Sequence, residues 1–405
     1  MMILKIAWRN VWRSKGRSFV VMGSIVVGIW ALVVGNGFMN GFMVGYMKEA
    51  IEYDISNVQV HHPQFKEDYD VNFFIPEGTQ KAAQMRAWGN VRAATTRIIV
   101  NGMIASPKKA AGVQIRGIDK MNERKVTSLD KLVVEGDYFE GVKRNPIVIG
   151  SKLAETLKAK IRSKVVLTFN DKNGNITSAA FRIVGIVKSS SLEINERNAY
   201  VLQADIDKLL GMEANVHEIA VLTEENSSEQ TVVDAYNAAF KGDLVEDWKL
   251  IAPEMALMQE MYGSMLYVLM LIILTALIFG IVNTMLMAVL ERFKELGMLM
   301  AVGMNKLRIF MMIMMETLCL AVIASPFGLL VSYFTISYYR NTGVDLSSYS
   351  EGLEAFGYSS ILYPFVSEST YVIVTIGVIV TAFLAAIYPA WKAVKLKPVE
   401  ALHKI

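Results

Sequence analysis

Charged residues are absent from three long stretches of this chain. The uncharged stretches are 18–47, 261–290 and 369–391, and a fourth stretch, 309–339, contains only Glu316. Each is longer than the ~20 apolar residues that a helix needs to cross the hydrocarbon core of a bilayer. The pattern excludes a wholly soluble protein and predicts an integral membrane protein with four spans.

Cysteine and histidine are also scarce. The single cysteine, Cys319, lies in the third span and excludes an intrachain disulfide. His61 and His62 are adjacent, whereas His217 and His403 are isolated. Because a metal site needs several converging ligands, we expect no metal site. We also expect that replacing His61 or His62 with alanine has little effect on the protein.

Motifs of enzymatic catalysis are missing as well. No phosphate-binding loop occurs, since Gly150-Ser151-Lys152 lacks the upstream glycine of that motif. The sequence contains neither a nucleophile elbow nor an H-E-x-x-H helix. We therefore predict a non-catalytic chain that binds no cofactor of its own and takes its energy from a partner.

A polar segment of roughly 210 residues separates the first two spans, which is long enough for a folded domain. The other connections are short. Hydrophobic residues make up 53% of the chain, but the charged fraction of 20% is too high for a chain buried throughout a membrane. The predicted fold is a four-helix transmembrane protein with a large α+β extracytoplasmic domain inserted between spans one and two.

Lysine and arginine are concentrated in segments that positive-inside orientation places in the cytoplasm. These are the N-terminus, the loop between spans two and three, and the tail, whereas the loop between spans three and four has Arg340 among several acidic residues. Both termini are expected to be cytoplasmic, with the large domain on the outer side of the membrane. The net charge of +3 averages over this asymmetry and does not indicate nucleic-acid binding.

The chain is accordingly divided into nine consecutive segments. They are a cytoplasmic amphipathic helix (1–17), span one with a stalk (18–47), the periplasmic domain, possibly of two lobes (48–255), a stalk with span two (256–290), a cytoplasmic helix (291–304), span three (305–339), a periplasmic loop (340–368), span four (369–391) and a cytoplasmic tail (392–405). Residues 2–13 place basic and apolar side chains on opposite faces, which is typical of a helix in the membrane interface, although a topogenic signal alone is the alternative.

Spans one and two have ~30 uncharged residues each, which as a helix would be roughly 45 Å long. The hydrocarbon core of a bilayer is only ~30 Å thick. We expect the excess to project as a stalk. Gly37, Gly41 and Gly45 repeat at four-residue spacing, which lets a backbone of this chain or of a second subunit approach closely. Met258 and Met261 belong to a methionine stripe that either packs internally or forms a flexible surface for acyl chains.

The periplasmic segment alternates between strand and helix patterns. Candidate strands are 97–100, 113–117, 146–149, 165–170, 180–188 and 217–222, with a turn at 171–174. Candidate helices are 151–160, 204–211 and 228–240.

The loop between spans two and three is predicted to contain a short amphipathic helix that ends at Gly303, with Asn305 capping the next helix. Its apolar positions Phe293, Leu296, Met300 and Val302 either enter a groove on a soluble protein or belong to a simple connector.

Glu316 and Asn283 are the polar residues that stand out within the spans. Glu316 lies about two turns into span three, and we expect it to be hydrated or paired with Arg308 or Lys306 rather than to relay protons.

Several motifs together resemble FtsX-like ABC permeases. The run from Glu291 to Gly303, E-R-x-x-E-L-G-x-L-x-A-x-G, resembles their coupling segment, and the tail from Tyr388 to Leu402 resembles their characteristic ending. The start, Ala7 to Arg13, is also similar. Between them, Val113–Asp119, Gly136-Asp137-Tyr138, Ile149–Ala154 and Val184-Gly185-Ile186 are similar to the periplasmic core domain of MacB and LolC/LolE proteins. At 161–164 the chain departs from a Gly-Asp-like turn that the family commonly has.

The resemblance implies a permease subunit that transmits force across the membrane. A separate ATPase chain would hold ATP and Mg, and a second permease subunit, identical or a paralogue, would complete the complex. It also implies contact with membrane lipids, lipoprotein cargo and a periplasmic acceptor. The leading function is lipoprotein release, and the alternatives are MacB-like or antimicrobial-peptide efflux and FtsX-like regulation of cell-wall hydrolases.

The resemblance assigns residues to two sites. The ATPase-coupling residues would be Glu291, Arg292, Lys294, Glu295, Leu296, Gly297, Ala301 and Gly303. Residues at the level where cargo is gripped would be Gly37, Asn40, Gly41, Met258 and Met261.

Overall fold

The computed structural model describes residues 2–13, 15–142, 144–189, 191–212, 215–224, 227–349, 352–353 and 361–395. The tail motif from Pro398 to Leu402 and residues 350, 351 and 354–360 of the acidic loop lie outside the described residues. The chain forms two compact units. The helical unit comprises 1–44, 259–347 and 361–405, and the external unit comprises 45–258 and 348–360.

The α-helices described below are numbered in chain order. They are α1 (Met2–Arg13), α2 (Lys15–Ala50), α3 (Phe65–Asp68), α4 (Gly78–Met85), α5 (Lys120–Val126), α6 (Ser151–Leu157), α7 (Leu192–Glu196), α8 (Gln203–Leu210), α9 (Glu229–Ala239), α10 (Trp248–Ile251), α11 (Pro253–Glu291), α12 (Phe293–Ala301), α13 (Lys306–Thr342) and α14 (Glu368–Val394). A π-helical turn, Ile51–Ile55, continues directly from α2, and short 3-10 turns occur at Leu129–Leu132 and Ser347–Tyr349.

Among the described residues, four helices are long and apolar enough to cross a membrane, as the sequence predicts. They are α2 with its π-helical turn, α11, α13 and α14. All four extend beyond the predicted spans at one or both ends. At 36 and 39 residues, α2 and α11 reach roughly 54 and 58 Å, well beyond the thickness of a bilayer core.

The helical unit is held together by apolar side chains and by one close helix contact. Ile25, Ile29, Ile281, Ala321 and Val378 are among its fully buried residues. A Cβ atom at Gly328 of α13 would lie only 2.9 Å from the Cβ of Ile29, so the glycine allows α2 and α13 to approach closely.

The amphipathic helix α1 matches the predicted pattern in its extent. Ala7 and Val11 are buried, α1 packs against α13, and Trp8 and Trp12 remain exposed with their rings in edge-to-face contact. Exposed tryptophans beside a buried apolar face suit a helix that lies in a membrane interface.

The strands, also numbered in chain order, form the sheet of the external unit and one small hairpin. They are β1 (Val58–His61), β2 (Val91–Ala105), β3 (Ala110–Ile118), β4 (Val133–Gly136), β5 (Pro146–Gly150), β6 (Lys164–Asn170), β7 (Ile176–Val187), β8 (Asn198–Leu202), β9 (Glu218–Thr223), β10 (Leu244–Asp247), β11 (Val344–Asp345) and β12 (Ile361–Leu362).

The strands of the external unit are ordered β10-β1-β9-β2-β3-β8-β5-β7-β4, and β6 joins β2 to β7. The pairs β2/β3, β3/β8, β8/β5, β5/β7, β7/β6 and β6/β2 therefore close a six-stranded ring. β2 takes part twice: its first part pairs with β9, and its second part pairs with β3 and β6.

The external unit has two large apolar cores. One fills the six-stranded ring and its helices α6 and α8, with Ile98, Ile115, Leu167, Phe181 and Ile206 among its members. The other packs β1, β9 and the start of β2 against α4 and α9. The two cores meet along β2, whose pairing changes from β9 to β3 at Arg97. The two lobes suggested by the sequence stay a prediction.

All six candidate strands and all three candidate helices are present. The Asp171–Gly174 turn is also confirmed, since Gly174 has a positive φ of 79° and its N–H donates to the Asp171 carbonyl. Short strands were missed, namely β1, β4, β8 and β10. Each has only four or five residues, which gives period-two alternation little length in which to appear.

The departure at 161–164 leaves the turn in place. Arg162 occupies the left-handed region with φ 70°, and its N–H donates to the Ile183 carbonyl at 2.8 Å. The chain therefore makes, with arginine, a turn whose conformation favours glycine.

The expectation that His61 is dispensable is wrong on structural grounds. His61 is buried and its Nε2 lies 3.0 Å from Glu218 Oε2, which sequence adjacency to His62 does not indicate. His62, by contrast, is half-buried and stacks on Phe73.

Candidate functional site

The loop between α11 and α13 contains the helix that the sequence predicts. α11 ends at Glu291, Arg292 interrupts the helix, and α12 follows at once. Gly303, with φ 98°, ends the segment. The Asn305 side chain accepts a hydrogen bond from the Leu307 N–H at 3.1 Å and caps α13, as predicted.

Arg292 connects three helices at this loop. Its Nη1 atom lies 3.0 and 3.1 Å from the two carboxylate oxygens of Glu316, and its Nη2 atom donates to the Asn10 carbonyl at 3.3 Å. The Arg292 and Glu316 side chains are only 14% and 8% exposed. Because this ion pair is sheltered from solvent and hydrogen-bonded, Arg292 fixes the start of α12 against α13 and α1.

The predicted partners of Glu316 were wrong. Arg308 and Lys306 precede Glu316 by 8 and 10 residues on the same helix, which places them roughly 12 and 15 Å away along the helix axis. The break at Arg292 instead turns that guanidinium towards α13. Positions along one helix do not reveal this contact, because it depends on how two helices cross.

An exposed ion pair joins α1 to α12 as well. Arg13 Nη2 lies 2.7 Å from Glu295 Oε1, and the two side chains are 66% and 43% exposed. Solvent weakens such a pair, so it orients the two helices less strongly than the Arg292 contacts do.

The exposed apolar side of the loop differs from the predicted one. Leu296 and Gly297 are buried, and Phe293 and Met300 are half-buried. The exposed apolar side chains here include Met298 and Val302 of the loop, of which Val302 is 88% exposed, and Leu307 at the start of α13. We call these three residues the loop surface. Of the predicted docking positions, only Val302 belongs to it, because the bundle itself covers the others.

The predicted coupling residues therefore divide into two groups. Glu291, Lys294, Ala301 and Gly303 are exposed, and Glu295 is partly exposed. Within this chain they are accessible to a protein that binds the loop. Arg292, Leu296 and Gly297 lie inside the helical unit and hold α12 in position.

A cavity of about 210 Å³ lies between α2, α11 and α14. Its polar lining includes Asn36 and Asn40, whose amides are hydrogen-bonded to each other at 2.8 Å, and its apolar lining includes Leu266, Met270 and Ile373. It combines amide groups with apolar walls, which suits a ligand that is mainly apolar and has a few hydrogen-bonding groups.

Among the predicted cargo residues of α2, only Asn40 lines this cavity. A Cβ atom at Gly37 would lie 2.6 Å from the Ile336 side chain. A Cβ atom at Gly41 would lie 2.5 Å from the Tyr363 carbonyl oxygen. The Gly37 carbonyl also accepts a hydrogen bond from the Phe365 N–H. These two glycines allow close packing within the chain, which is one of the two readings of their spacing.

The methionine positions are largely uncovered by the rest of the chain. Met258, in the external unit, is 42% exposed, and Met261, in the helical unit, is 64% exposed, whereas Met255 is buried. In the most apolar 18-residue segment of α11, only 11% is buried by the rest of the chain. In the corresponding segment of α13, 50% is buried. α11 thus presents the least covered span to its surroundings.

Asn36 is a site residue that the sequence reasoning missed. It precedes Asn40 by four residues, so both face the same side of a helix. Two amides at this spacing in an otherwise apolar span were the available signal. Within the part of the chain that the structure describes, no group of three His, Cys, Asp or Glu residues is arranged to hold a metal ion.

Family models match most of the chain. The model described as MacB-like periplasmic core domain matches residues 18–239, and the model described as FtsX-like permease C-terminal matches residues 267–398.

Curated relatives and a solved structure extend the comparison. The chain is 24% identical to the lipoprotein-releasing system transmembrane protein LolC of Neisseria meningitidis, covering 96% of this chain and 95% of that one. It is 24% identical to the pyoverdine export ATP-binding/permease protein PvdT of Pseudomonas fluorescens, covering 98% of this chain and 59% of that one. The periplasmic region of MacB from Actinobacillus actinomycetemcomitans aligns with a TM-score of 0.35 and 12% identity, covering 52% of this chain and 97% of that one.

Proposed function

The chain belongs to the ABC transporter permeases with a MacB-like periplasmic core domain and an FtsX-like C-terminal region, and from this premise we propose that it releases lipoproteins from a bacterial inner membrane. The observation that carries this proposal is its end-to-end match to a lipoprotein-releasing permease, which covers 95% of that relative. The chain itself is non-catalytic, and its work depends on an ATPase in a separate chain.

The loop surface is the proposed docking site for that ATPase. Met298, Val302 and Leu307 offer apolar contact, and the charged residues Glu291, Lys294 and Glu295, which precede them in the chain, are exposed or partly exposed. This combination of an apolar centre and a charged rim suits a groove on a soluble protein. ATP and Mg are held by the ATPase, and Arg292 keeps α12 aligned with α13 while that chain moves.

The uncovered length of α11 is the proposed contact with a second permease subunit and with lipid. Leu271, Ile272 and Phe279 are each at least 60% exposed within this chain. Apolar side chains at this density require lipid or protein around them. The second subunit is either another copy of this chain or a paralogue.

The cavity between α2, α11 and α14 is the proposed place where the lipid part of the cargo enters. The Asn36 and Asn40 amides match the ester and amide groups that link acyl chains to a lipoprotein, and the apolar walls match the chains themselves. Met261, exposed on α11, extends an adaptable apolar surface beyond the cavity.

The orientation proposed from basic residues places both termini and the loop surface in the cytoplasm and the external unit in the periplasm. A periplasmic acceptor then receives the lipoprotein from the external unit. This arrangement separates the energy source and the cargo by the full thickness of the membrane.

Reconstitution tests the proposal directly. The chain, purified with its associated ATPase and any second permease, is placed in vesicles that contain a triacylated lipoprotein, and ATP-dependent release to a soluble acceptor is measured. Release is expected with ATP, and Asn40→Leu should slow it. Asn341→Leu is the matched control, because Asn341 is an exposed amide at the end of α13 and outside the cavity lining.

Other outcomes favour other functions. Transport of a small apolar or peptide substrate, with no lipoprotein release, would favour export, for which the match to a pyoverdine exporter over 98% of this chain is the supporting observation. Absence of any ATPase in a preparation from native membranes would overturn the proposal as a whole.

A further inference from the structure

The end of the span-one helix is held inside the external unit by a buried carboxylate. α2 passes at Ala50 into the π-helical turn Ile51–Ile55, and the turn ends at Ser56, which has a positive φ of 62°. Asp54 lies in this turn and is only 6% exposed. π-Helical turns are rare and occur frequently at functional positions.

Both oxygens of the Asp54 carboxylate have partners on other elements. Arg116 of β3 places Nη1 3.0 Å from Oδ1, and the hydroxyl of Ser191, just before α7, donates to Oδ2 at 3.1 Å. The Arg116 side chain is 12% exposed, so this ion pair is largely sheltered from solvent. The carboxylate therefore ties the helix end to the six-stranded ring in a defined direction.

A second buried arginine extends the contact to the boundary between the two cores. Arg97 of β2 is held by Glu123 of α5, with Nη2 2.8 Å from Oε1, and by Glu218 of β9, with Nη1 2.5 Å from Oε1. Its Nη1 atom also lies 3.5 Å from the Asp54 carbonyl oxygen. β2 contributes to both cores, so the helix end meets the sheet where the two cores join.

Apolar packing supports the same helix end from another side. Tyr46, Met47 and Ile51 pack with the buried side chains of Trp248 and Met255, where the chain leaves the sheet towards α11. Apolar contacts hold the two helix ends together, but they permit sliding and rotation. The ion pair adds the directional constraint that packing lacks.

We propose that Asp54, together with Arg116 and Ser191, forms the joint that fixes the end of α2, from residue 45 onward, and the π-helical turn against the sheet of the external unit. The proposal rests on the proposed function in one respect: it assumes that the span-one helix moves and that the joint transmits this motion to the sheet. Without it, the helix end would still be packed but would turn more freely, and the external unit would follow the helix less closely.

Glu52 provides a matched comparison within the same turn. Its ion pairs with Lys48 and Arg92 are long, at 4.0 and 3.9 Å, and its side chain is 30% exposed. A purely general effect of losing a carboxylate from the turn would make Glu52→Gln and Asp54→Asn equivalent. The joint predicts that only Asp54→Asn changes how the helix end is held against the sheet.

The test uses spin labels on the full-length chain in lipid nanodiscs, in a Cys319→Ser background that removes the single native cysteine. Labels are placed by Gly45→Cys, near the helix end, and by Gly112→Cys, on the strand that carries Arg116. A Cβ atom at either glycine would meet no atom within 4 Å, so neither label displaces a contact. Distance distributions are measured by pulsed electron spin resonance.

The expected result is a broadened or shifted distribution for Asp54→Asn and an unchanged one for Glu52→Gln. Arg116→Lys retains the charge but loses the guanidinium geometry, so it should produce a smaller change and serves if Asp54→Asn fails to fold. A distribution for Asp54→Asn and for Arg116→Lys that equals the wild type would overturn the joint.

A second measurement separates the joint from the proposed function. In the complex with its ATPase, nucleotide should leave the label distance almost unchanged in the wild type, because the sheet follows the helix end, and should shift it in Asp54→Asn while ATP hydrolysis continues. If no ATPase or lipoprotein release is found, the proposed function fails, yet the nanodisc distances still decide whether Asp54 fixes the helix. A label distance that nucleotide leaves equally unchanged in the Asp54→Asn variant would contradict the transmitting role.

Discussion

Arg292 and Glu316 form a sheltered ion pair between the start of α12 and the interior of α13, with Arg292 Nη1 3.0 and 3.1 Å from the two carboxylate oxygens. The same guanidinium reaches the Asn10 carbonyl. One side chain thus fixes the positions of three helices that meet at the loop surface. The loop is therefore anchored to α13 and α1 through one side chain.

Replacing Glu316 with glutamine should destabilise the helical unit and misalign α12. Loss of one member of a buried ion pair leaves the other charge uncompensated, which typically costs about 3–5 kcal/mol. We expect a lower unfolding midpoint in detergent and weaker stimulation of the ATPase. Arg292→Gln should have a similar effect.

The matched control for this prediction is Arg13→Gln, which removes an exposed pair of the same type. Exposed pairs contribute less than about 1 kcal/mol, so the unfolding midpoint should hardly change. Equal shifts for Glu316→Gln and Arg13→Gln would contradict the idea that burial makes the Arg292 pair structurally important.

Val302→Asp should weaken binding of the ATPase without affecting the fold. Val302 is 88% exposed, the largest exposed fraction on the loop surface. A charge there should hardly change the stability of the isolated chain, but it should disturb the apolar contact with the ATPase. Affinity is measured by pull-down or surface binding with the purified ATPase. Val134→Asp, at an exposed valine of β4, should leave binding unchanged.

Two substitutions in α12 test the coupling role of the loop in different ways. Glu295→Lys reverses the charge that pairs with Arg13, so it should weaken coupling moderately. Gly297→Pro affects a buried position in α12, so it should disrupt the helix itself and lower stability. Normal ATPase binding by both variants would remove the loop surface from consideration as the docking site.

The number of spans, the inserted domain and the longer strands are predictable from the sequence, because charge-free runs and periodic patterns are local properties. The contacts that define the sites are not local. Glu316 lies closer in sequence to Arg308 than to Arg292, yet the crossing of two helices determines its partner. Leu296 and Val302 look equally suitable for docking, but only the packed bundle reveals that Leu296 is covered.

The same limit applies within the external unit. Arg97 appears as one charge in an apolar strand, and nothing near it in sequence identifies its partners Glu123 and Glu218. Their contact requires the sheet order, which short strands such as β1 help to establish. Asn36 is the exception, since its four-residue spacing from Asn40 was visible in the sequence.

Arg162→Gly should stabilise the external unit. Arg162 has φ 70°, a left-handed conformation that costs roughly 1–2 kcal/mol for a residue with a Cβ atom. Glycine removes this cost but gains freedom in the unfolded chain, so we expect a net gain of about 1 kcal/mol. Denaturant unfolding followed by the fluorescence of the external unit measures the change.

Arg162→Ala separates backbone strain from the loss of the arginine side chain. Alanine retains the Cβ atom and hence the strain, so it should give no comparable gain. If alanine and glycine stabilise equally, the benefit comes from removing the arginine charge and not from the turn.

Stability of the external unit should fall as the pH is lowered from 7 to 5, because of His217. Its Nδ1 atom accepts a hydrogen bond from the Ile99 N–H at 2.9 Å, and its Nε2 atom lies 3.0 Å from the Val71 carbonyl oxygen, which requires the neutral ring with a proton on Nε2. Burial lowers the pKa of His217 from 6.5 to about 4. The unfolded chain therefore binds the additional proton in this range, and acid favours unfolding.

The size of the effect follows from the interval between the two pKa values. Between pH 7 and pH 5 the folded ring stays neutral while the unfolded ring becomes protonated, so the free energy of unfolding should decrease by about 2 kcal/mol. The pKa of Glu218 is also lowered, because Arg97 and His61 outweigh the effect of its burial, but its contribution is lost mainly below the ordinary pKa of 4.5.

Denaturant titrations at several pH values check this prediction on the wild type, His217→Asn and His62→Ala. His217→Asn should lower stability at every pH but flatten the dependence between pH 7 and 5, because the titrating ring is gone. His62→Ala, which removes a half-buried histidine stacked on Phe73, should retain the wild-type slope. A slope that persists in His217→Asn would assign the acid sensitivity to another group and would contradict the role of the buried neutral ring.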